Sequence, residues 1–260
     1  MSPLVPVSFS ERLHQLALGL EPIDALRRQR VAQRLDVRVE GFPSSVSRSV
    51  GPRIPRHESC VHALLRYPGL KSPLSVLFQD ETRRFVPRRL SVPVAPNAPT
   101  MLRPGFFPGA AYDVTDRTTG LRAMVERGGK PMRWARVEAR LPAATPGTGT
   151  LVGRAHGDDR GEFLLLLWPA ASTLGVLTST LQVEVTVFGP QTAPVPDTPS
   201  QPREDPLWDL PLEKALASTP DTVTPGEALP DNYEATATSR LTLPFTLGKL
   251  TSTVLPIVFS

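Results

Sequence analysis

The chain has 260 residues, enough for two small domains, and with 40% hydrophobic but only 6% aromatic residues its cores are thin. Its 30 prolines, about twice the usual frequency, exclude long helices and suit edge strands, turns and extended connectors. The formal net charge of +4 runs from +7 over residues 1–100 through +1 over 101–200 to −4 over 201–260, so a basic front and an acidic tail can attract each other within one chain or between neighbours.

In chain order, Ser10 can cap a helical turn carrying Leu13, Leu16, Ala17 and Leu20, and the same residues also fit a strand. The apolar residues here are broken by Glu11, Arg12, His14 and Gln15 with no basic stretch before them, so no signal peptide is expected. Leu35, Val37 and Val39 then alternate with polar residues, as in a strand with one buried face. Segments 56–65, 67–70, 76–78 and 85–90 continue a small sandwich that ends in Leu90-Ser-Val92-Pro-Val94. Pro93, Pro96 and Pro99 mark its exit, and residues 1–98 read as a β-rich N-terminal domain.

Residues 99–189 read as a second β domain. Leu121 to Val125 is a strand, Arg127-Gly-Gly-Lys130-Pro131 a turn, and Met132 to Leu141 the next strand, with Val137, Ala139 and Leu141 in phase. After a loop of small residues over 142–150 come the strand Leu151 to His156, a tight turn over Gly157-Asp-Asp-Arg-Gly161, and a closing strand from Glu162 to Trp168. The apolar run from Phe163 to Trp168 has strand length and falls far short of the ~18 residues a membrane helix needs, so no membrane insertion is expected. Leu181, Val183, Val185 and Val187 form the last strand of this domain.

Residues 190–230 contain ten prolines, cannot bury enough apolar area to fold alone, and read as an extended, proline-stiffened arm. Leu207, Trp208, Leu210 and Leu212 are its anchors, and a short helix fits near Leu212 to Ala217. Residues 231–260 become strand-like again through Leu241, Leu243, Phe245 and Leu247, where Pro244 interrupts the donors, and then Leu250 to Phe259. This tail is expected to add a strand to a sheet, its own or a neighbour's.

Candidate chemistry is sparse. His57, Cys60 and His62 lack the further ligands a zinc site needs, and the spacing of Asp158 and Asp159 beside His156 fits a hairpin turn better than a calcium loop or an acid–base pair. Arg127-Gly-Gly-Lys130 lacks the spacing and the Ser or Thr of a phosphate loop, and no nucleophile elbow is present. Trp134 and Trp168 read as core or sheet-edge residues, with a sugar site the other reading. Arg83, Arg84, Arg88 and Arg89 flank Phe85 and read either as plain solvated charge or as a patch for an acidic partner or the acidic arm, rather than for nucleic acid. No catalytic residue, metal or cofactor is expected. Cys60, alone, forms no internal disulfide, which favours a reducing compartment.

Three short motifs, Gly129-Lys130-Pro131, Ala135-Arg136-Val137 and Asp158-Asp159-Arg160-Gly161-Glu162-Phe163, resemble the carboxypeptidase regulatory-like, or transthyretin-like, β-sandwich module over residues 121–168. That resemblance implies an accessory scaffold without catalytic residues. The module order, with Phe85 to Leu90 and the tail from Pro230-Asp-Asn-Tyr233 to Phe259, is similar to cap or cap-adaptor components of phage-tail-like contractile injection systems. This likeness implies cytoplasmic synthesis and assembly, or a place in a released particle. It also implies a symmetric homo-oligomer that contacts cap, sheath or tube subunits. The expectation is thus a mainly β protein of two small sandwich-like domains and a proline-rich arm ending in a strand, acting as a structural adaptor. The other reading is a carbohydrate- or surface-binding β-sandwich module.

Overall fold

A computed structural model describes residues 15–41, 53–115, 117–168, 179–215, 229–253 and 255–260. The protein is mainly β, with strands gathered into several sheets and, among the described residues, a single helix of four residues.

The first unit carries β1 (Leu16–Leu20), β2 (Ile23–Asp24), β3 (Gln29–Arg30), β4 (Asp36–Val39), β5 (His62–Leu65), β6 (Leu74–Gln79), β7 (Arg88–Val92), β8 (Thr100–Leu102) and β9 (Gly105–Phe106). Residues 16–20, whose sequence fits both a helix and a strand, are a strand flanked by β5 and β8. Strands β4, β6 and β7 pair antiparallel in the order β7-β6-β4, and their alternate residues Val37, Val39, Val76, Phe78, Leu90 and Val92 enter one core with Leu18 and Leu20 of the facing sheet. The alternation read in Leu35 to Val39 has its cause there, since successive side chains leave a strand on opposite faces.

The boundary expected at residue 98 falls within this unit. Strands β8 and β9 lie beyond it, yet they pair in parallel with β1 and β2. The Phe106 ring packs tilted against Phe78, with ring centroids 5.3 Å apart. Parallel pairing needs a long crossover, so no local turn signal announces it.

The second unit contains β10 (Gly120–Arg127), β11 (Lys130–Pro131), β12 (Arg136–Arg140), β13 (Leu151–His156), β14 (Glu162–Leu167) and β15 (Thr180–Pro190). The chain then passes through α1 (Gln201–Glu204) and β16 (Leu212–Lys214) and returns as β17 (Tyr233–Thr246), β18 (Leu250–Ser252) and β19 (Ile257–Val258). The sheet order is β11-β10-β14-β13-β12-β15-β17, with β18 and β19 in parallel on β10. Since β17 turns through Leu247 and Gly248 into β18, which pairs at the other end of the order, the sheet curls around one core. Val125, Val137, Leu165, Val185, Phe245 and Ile257 meet there.

Two turns read from sequence are present. Gly128 and Gly129 both have positive φ, 57° and 72°, which lets Arg127 pair directly with Lys130. In the turn after β13, the Asp158 carboxylate accepts the N–H groups of Arg160 and Glu162 at 2.8 and 3.0 Å, and Gly161 takes φ +75°.

The tail adds its strand within its own chain: β17 pairs with β15 from Thr180↔Thr246 to Pro190↔Tyr233. Leu247 N–H donates to Ser179 C=O, so by alternation residues 241, 243 and 245 point their backbone toward β15 and Pro244 points to the other edge. Proline there removes a donor that a foreign strand would use.

Two predictions about the arm are corrected. The short helix lies at Gln201–Glu204, and Leu212–Lys214, where a helix was expected, is a strand on β7. Nor is 190–230 an extended linker throughout, because Leu207 and Leu210 are buried against the body. Residues 1–14 and 216–228, which carry Ser10, Leu13 and the end of that expected helix, lie outside the described residues.

Candidate functional site: the arm and its receptor

The arm reaches the body through a set of local turns. The Asp205 carboxylate accepts Leu207 N–H at 2.9 Å, and Leu210 N–H donates to Leu207 C=O. This folds Leu207 and Leu210 onto Val86 and Trp134, with Leu77 packed alongside. Trp134 adopts φ +60°, a left-handed conformation that costs about 1–2 kcal/mol in a residue with a side chain. The turn delivers its indole into the arm, where Nε1–H donates to Asp209 Oδ1 at 2.7 Å. Arg133 pairs with the same carboxylate at 2.9 Å, and burial raises the Asp209 pKa despite both partners.

Beyond Leu210 the chain joins β7 as a parallel strand, with Leu212 opposite Arg89, Glu213 opposite Leu90 and Lys214 opposite Ser91. The side chains alternate against hydrophobicity: Leu212 is 48% exposed while Glu213 is 3% exposed. The cause lies underneath. Glu213 Oε2 accepts Arg88 Nη2 at 2.6 Å, and Oε1 accepts Arg136 Nη2 at 2.8 Å and Arg88 Nε at 3.3 Å. Both guanidiniums are buried, and their other N–H groups reach backbone carbonyls, Gly105 for Arg88 and Trp134 for Arg136. Burial alone would raise the Glu213 pKa, but the two guanidiniums outweigh it and hold the carboxyl below its usual range. Tyr233 closes one side, its hydroxyl donating to Trp134 C=O at 3.2 Å, and burial pushes its pKa up to about 12.

The cluster draws on three parts of the chain: Arg88 from β7, Arg136 from β12 and Glu213 from the arm. It therefore joins the first unit, the second unit and the arm at one point. Beside it, opposite Arg136 in the register, His156 stacks on Phe107 with ring centroids 4.0 Å apart. This imidazole is 2% exposed and its Nδ1 is without a partner. Burial first, and then the charges of Arg136, Arg88 and Arg154, hold it neutral, well below the ordinary imidazole pKa.

The residues expected to meet a partner are thus distributed differently. Arg88 is buried on Glu213, and Arg89 binds Glu40 and the carbonyls of Leu210 and Leu207, so both are engaged within the chain. Arg83 forms a two-point pair with Asp159 across the two units, at 3.1 and 3.3 Å. Arg84 is half-buried and lines a small cleft with Arg27 and Arg30. Leu207 and Leu210 are the buried anchors, Trp208 is half-buried with an unpartnered indole N–H, and Leu212 faces outward. Glu213 went unrecognised as an anchor. Its signal was Arg88, in phase with the core residues Leu90 and Val92, because a cation on a buried face requires a buried anion.

Other candidates are committed to structure. His62 is buried with Nδ1 at the Ile54 carbonyl, His57 Nδ1 meets Ser59, and Cys60 sits in the turn between them with φ +66°. Among the described residues no three His, Cys, Asp or Glu side chains converge in a way that would hold a metal ion. No protein-family model, no curated protein and no solved structure matches the chain.

Proposed function

We propose that the protein is a non-catalytic structural adaptor in a multi-subunit assembly. The observation that carries this reading is the receptor for residues 205–215, a site for an extended segment built from a strand edge, an apolar seat and two buried cations. Recognition of a strand through its main chain, with pockets for alternate side chains, is how proteins grip extended arms. The groups with the best claim to catalysis are occupied in ways that support the same reading. His156 is stacked and buried, Asp158 caps its own turn, and Asp159 binds Arg83.

The particular assembly follows from the resemblance of the module order to cap adaptors: a contractile injection particle, with the protein between the cap and the end of the sheath or tube. Affinity purification of the tagged protein from the cells that make it, followed by mass spectrometry and negative-stain imaging, tests this. Co-purifying sheath and tube proteins with rods on the grid support it. A discrete protein without rods or partners rejects it.

One observation favours a second reading, a carbohydrate- or surface-binding module. Trp168 is half-buried and lines a cleft of about 650 Å³ with Arg27, Tyr112 and Thr119. A glycan array without hits removes that alternative.

A further inference from the structure

We infer that the receptor accepts the 205–215 segment of a second copy of this chain, so that copies link by exchanging arms. The inference rests on the adaptor reading and names the partner.

An exposed connector precedes the docked segment, and further chain follows it. Residues 192–200 are exposed apart from half-buried Pro196, and their hydrogen bonds are local, such as Asp197 N–H to Gln201 Oε1. Fully extended, these nine residues reach roughly 30 Å. Thirteen residues separate Ala215 from Leu229 on the other side, a reach of roughly 45 Å. The contacts that seat the segment belong to the segment itself (Leu207, Asp209, Leu210 and Glu213) and to the receptor (Val86, Arg88, Trp134 and Arg136). The arm of a neighbouring copy therefore makes the same bonds, and only the connectors and the concentration of copies decide between the closed and exchanged forms.

An empty receptor is unfavourable. Without Glu213, two guanidiniums lie buried with no counter-charge, Trp134 loses its bond to Asp209, and β7 presents an open edge. A receptor that has released its own arm is thus selective for one acidic residue, one strand register and two leucines, and a second copy supplies all of them.

The test uses the register itself. Lys214 stands opposite Ser91, and the only native cysteine is Cys60. In a full-length Cys60→Ser background, one chain carries Ser91→Cys and a differently tagged chain carries Lys214→Cys. The two are mixed over a range of concentrations and oxidised, and a third chain with both substitutions serves as the reference for bond formation. Exchange predicts a covalent heterodimer whose yield rises with concentration. It also predicts at least a tenfold lower yield when Glu213→Ala is added to the Lys214→Cys chain. An intrachain bond in the double variant, with no heterodimer in the mixture, overturns exchange and leaves the adaptor reading to the co-purification experiment. A double variant that forms neither bond also overturns it, because the docked register is then wrong.

Discussion

Two of the junctions between the units have opposite chemistry. At one, Leu164 and Leu166 of β14 leave the second unit's sheet and enter the core of the first. Phe163, Leu165 and Leu167 of the same strand fill the core behind it. At the other, Glu213 lies between Arg88 and Arg136. The leucine junction is non-directional, and an apolar side chain of similar volume serves it. The charged junction requires one anion at one place, with its hydrogen bonds satisfied, so it fixes the register of a strand that has little apolar surface of its own. The apolar contact holds the units together, and the ionic contact specifies which segment lies across them.

The largest effect is expected from Glu213→Ala. It leaves both guanidiniums buried and unpaired and should lower stability to urea by about 3–5 kcal/mol. Leu164→Ala should cost about 3 kcal/mol by opening a cavity at the apolar junction. The two are separable by limited proteolysis: the glutamate variant should become cleavable within 201–215, and the leucine variant should be cleaved only as the whole molecule unfolds.

Acid sharpens the contrast further. The folded His156 ring resists protonation, whereas in the unfolded chain it takes a proton near pH 6.5. Its contribution is therefore fully present above pH 6.5 and is lost as the pH falls below it, by at most about 1.4 kcal/mol per pH unit. His62, lowered by burial against the partial opposition of the Ile54 carbonyl, adds a second loss of the same sign. His156→Gln should flatten the slope of stability between pH 6.5 and 5, measured by urea titration at each pH. Glu213, whose pKa is depressed, loses its contribution only at still lower pH, as it is protonated. The smallest effect is expected from Arg83→Ala. The Arg83 side chain is 54% exposed, and its pair with Asp159 should contribute about 0.2–1 kcal/mol and less in high salt.

What the sequence made legible follows the same division. Alternation marked β4, β12, β15 and β17 because each has one face on a core, and glycine and aspartate marked the turns at 127–130 and 157–161. The run from Phe163 to Leu167 read as a strand, and its lack of alternation has its cause in burial on both faces. The parallel pairings of β8, β9 and β16 were not legible, because their partners are distant and no turn connects them. The arm misled in a particular way. Leu212 and Glu213 exchange the roles that hydrophobicity assigns, and only the two buried arginines beneath explain it.

The arm is a segment that opens separately from the body, seated on Val86 and Trp134 and fixed in register by Glu213, and amide hydrogen exchange on the native protein tests this. The hydrogen-bonded amides of Leu210 and Ala215 should exchange at least about tenfold faster than those of Leu164 to Leu167. Glu213→Ala should accelerate the first group and leave the second unchanged. If both groups exchange at one rate and respond together to Glu213→Ala, the arm is an ordinary strand of the body and does not open separately.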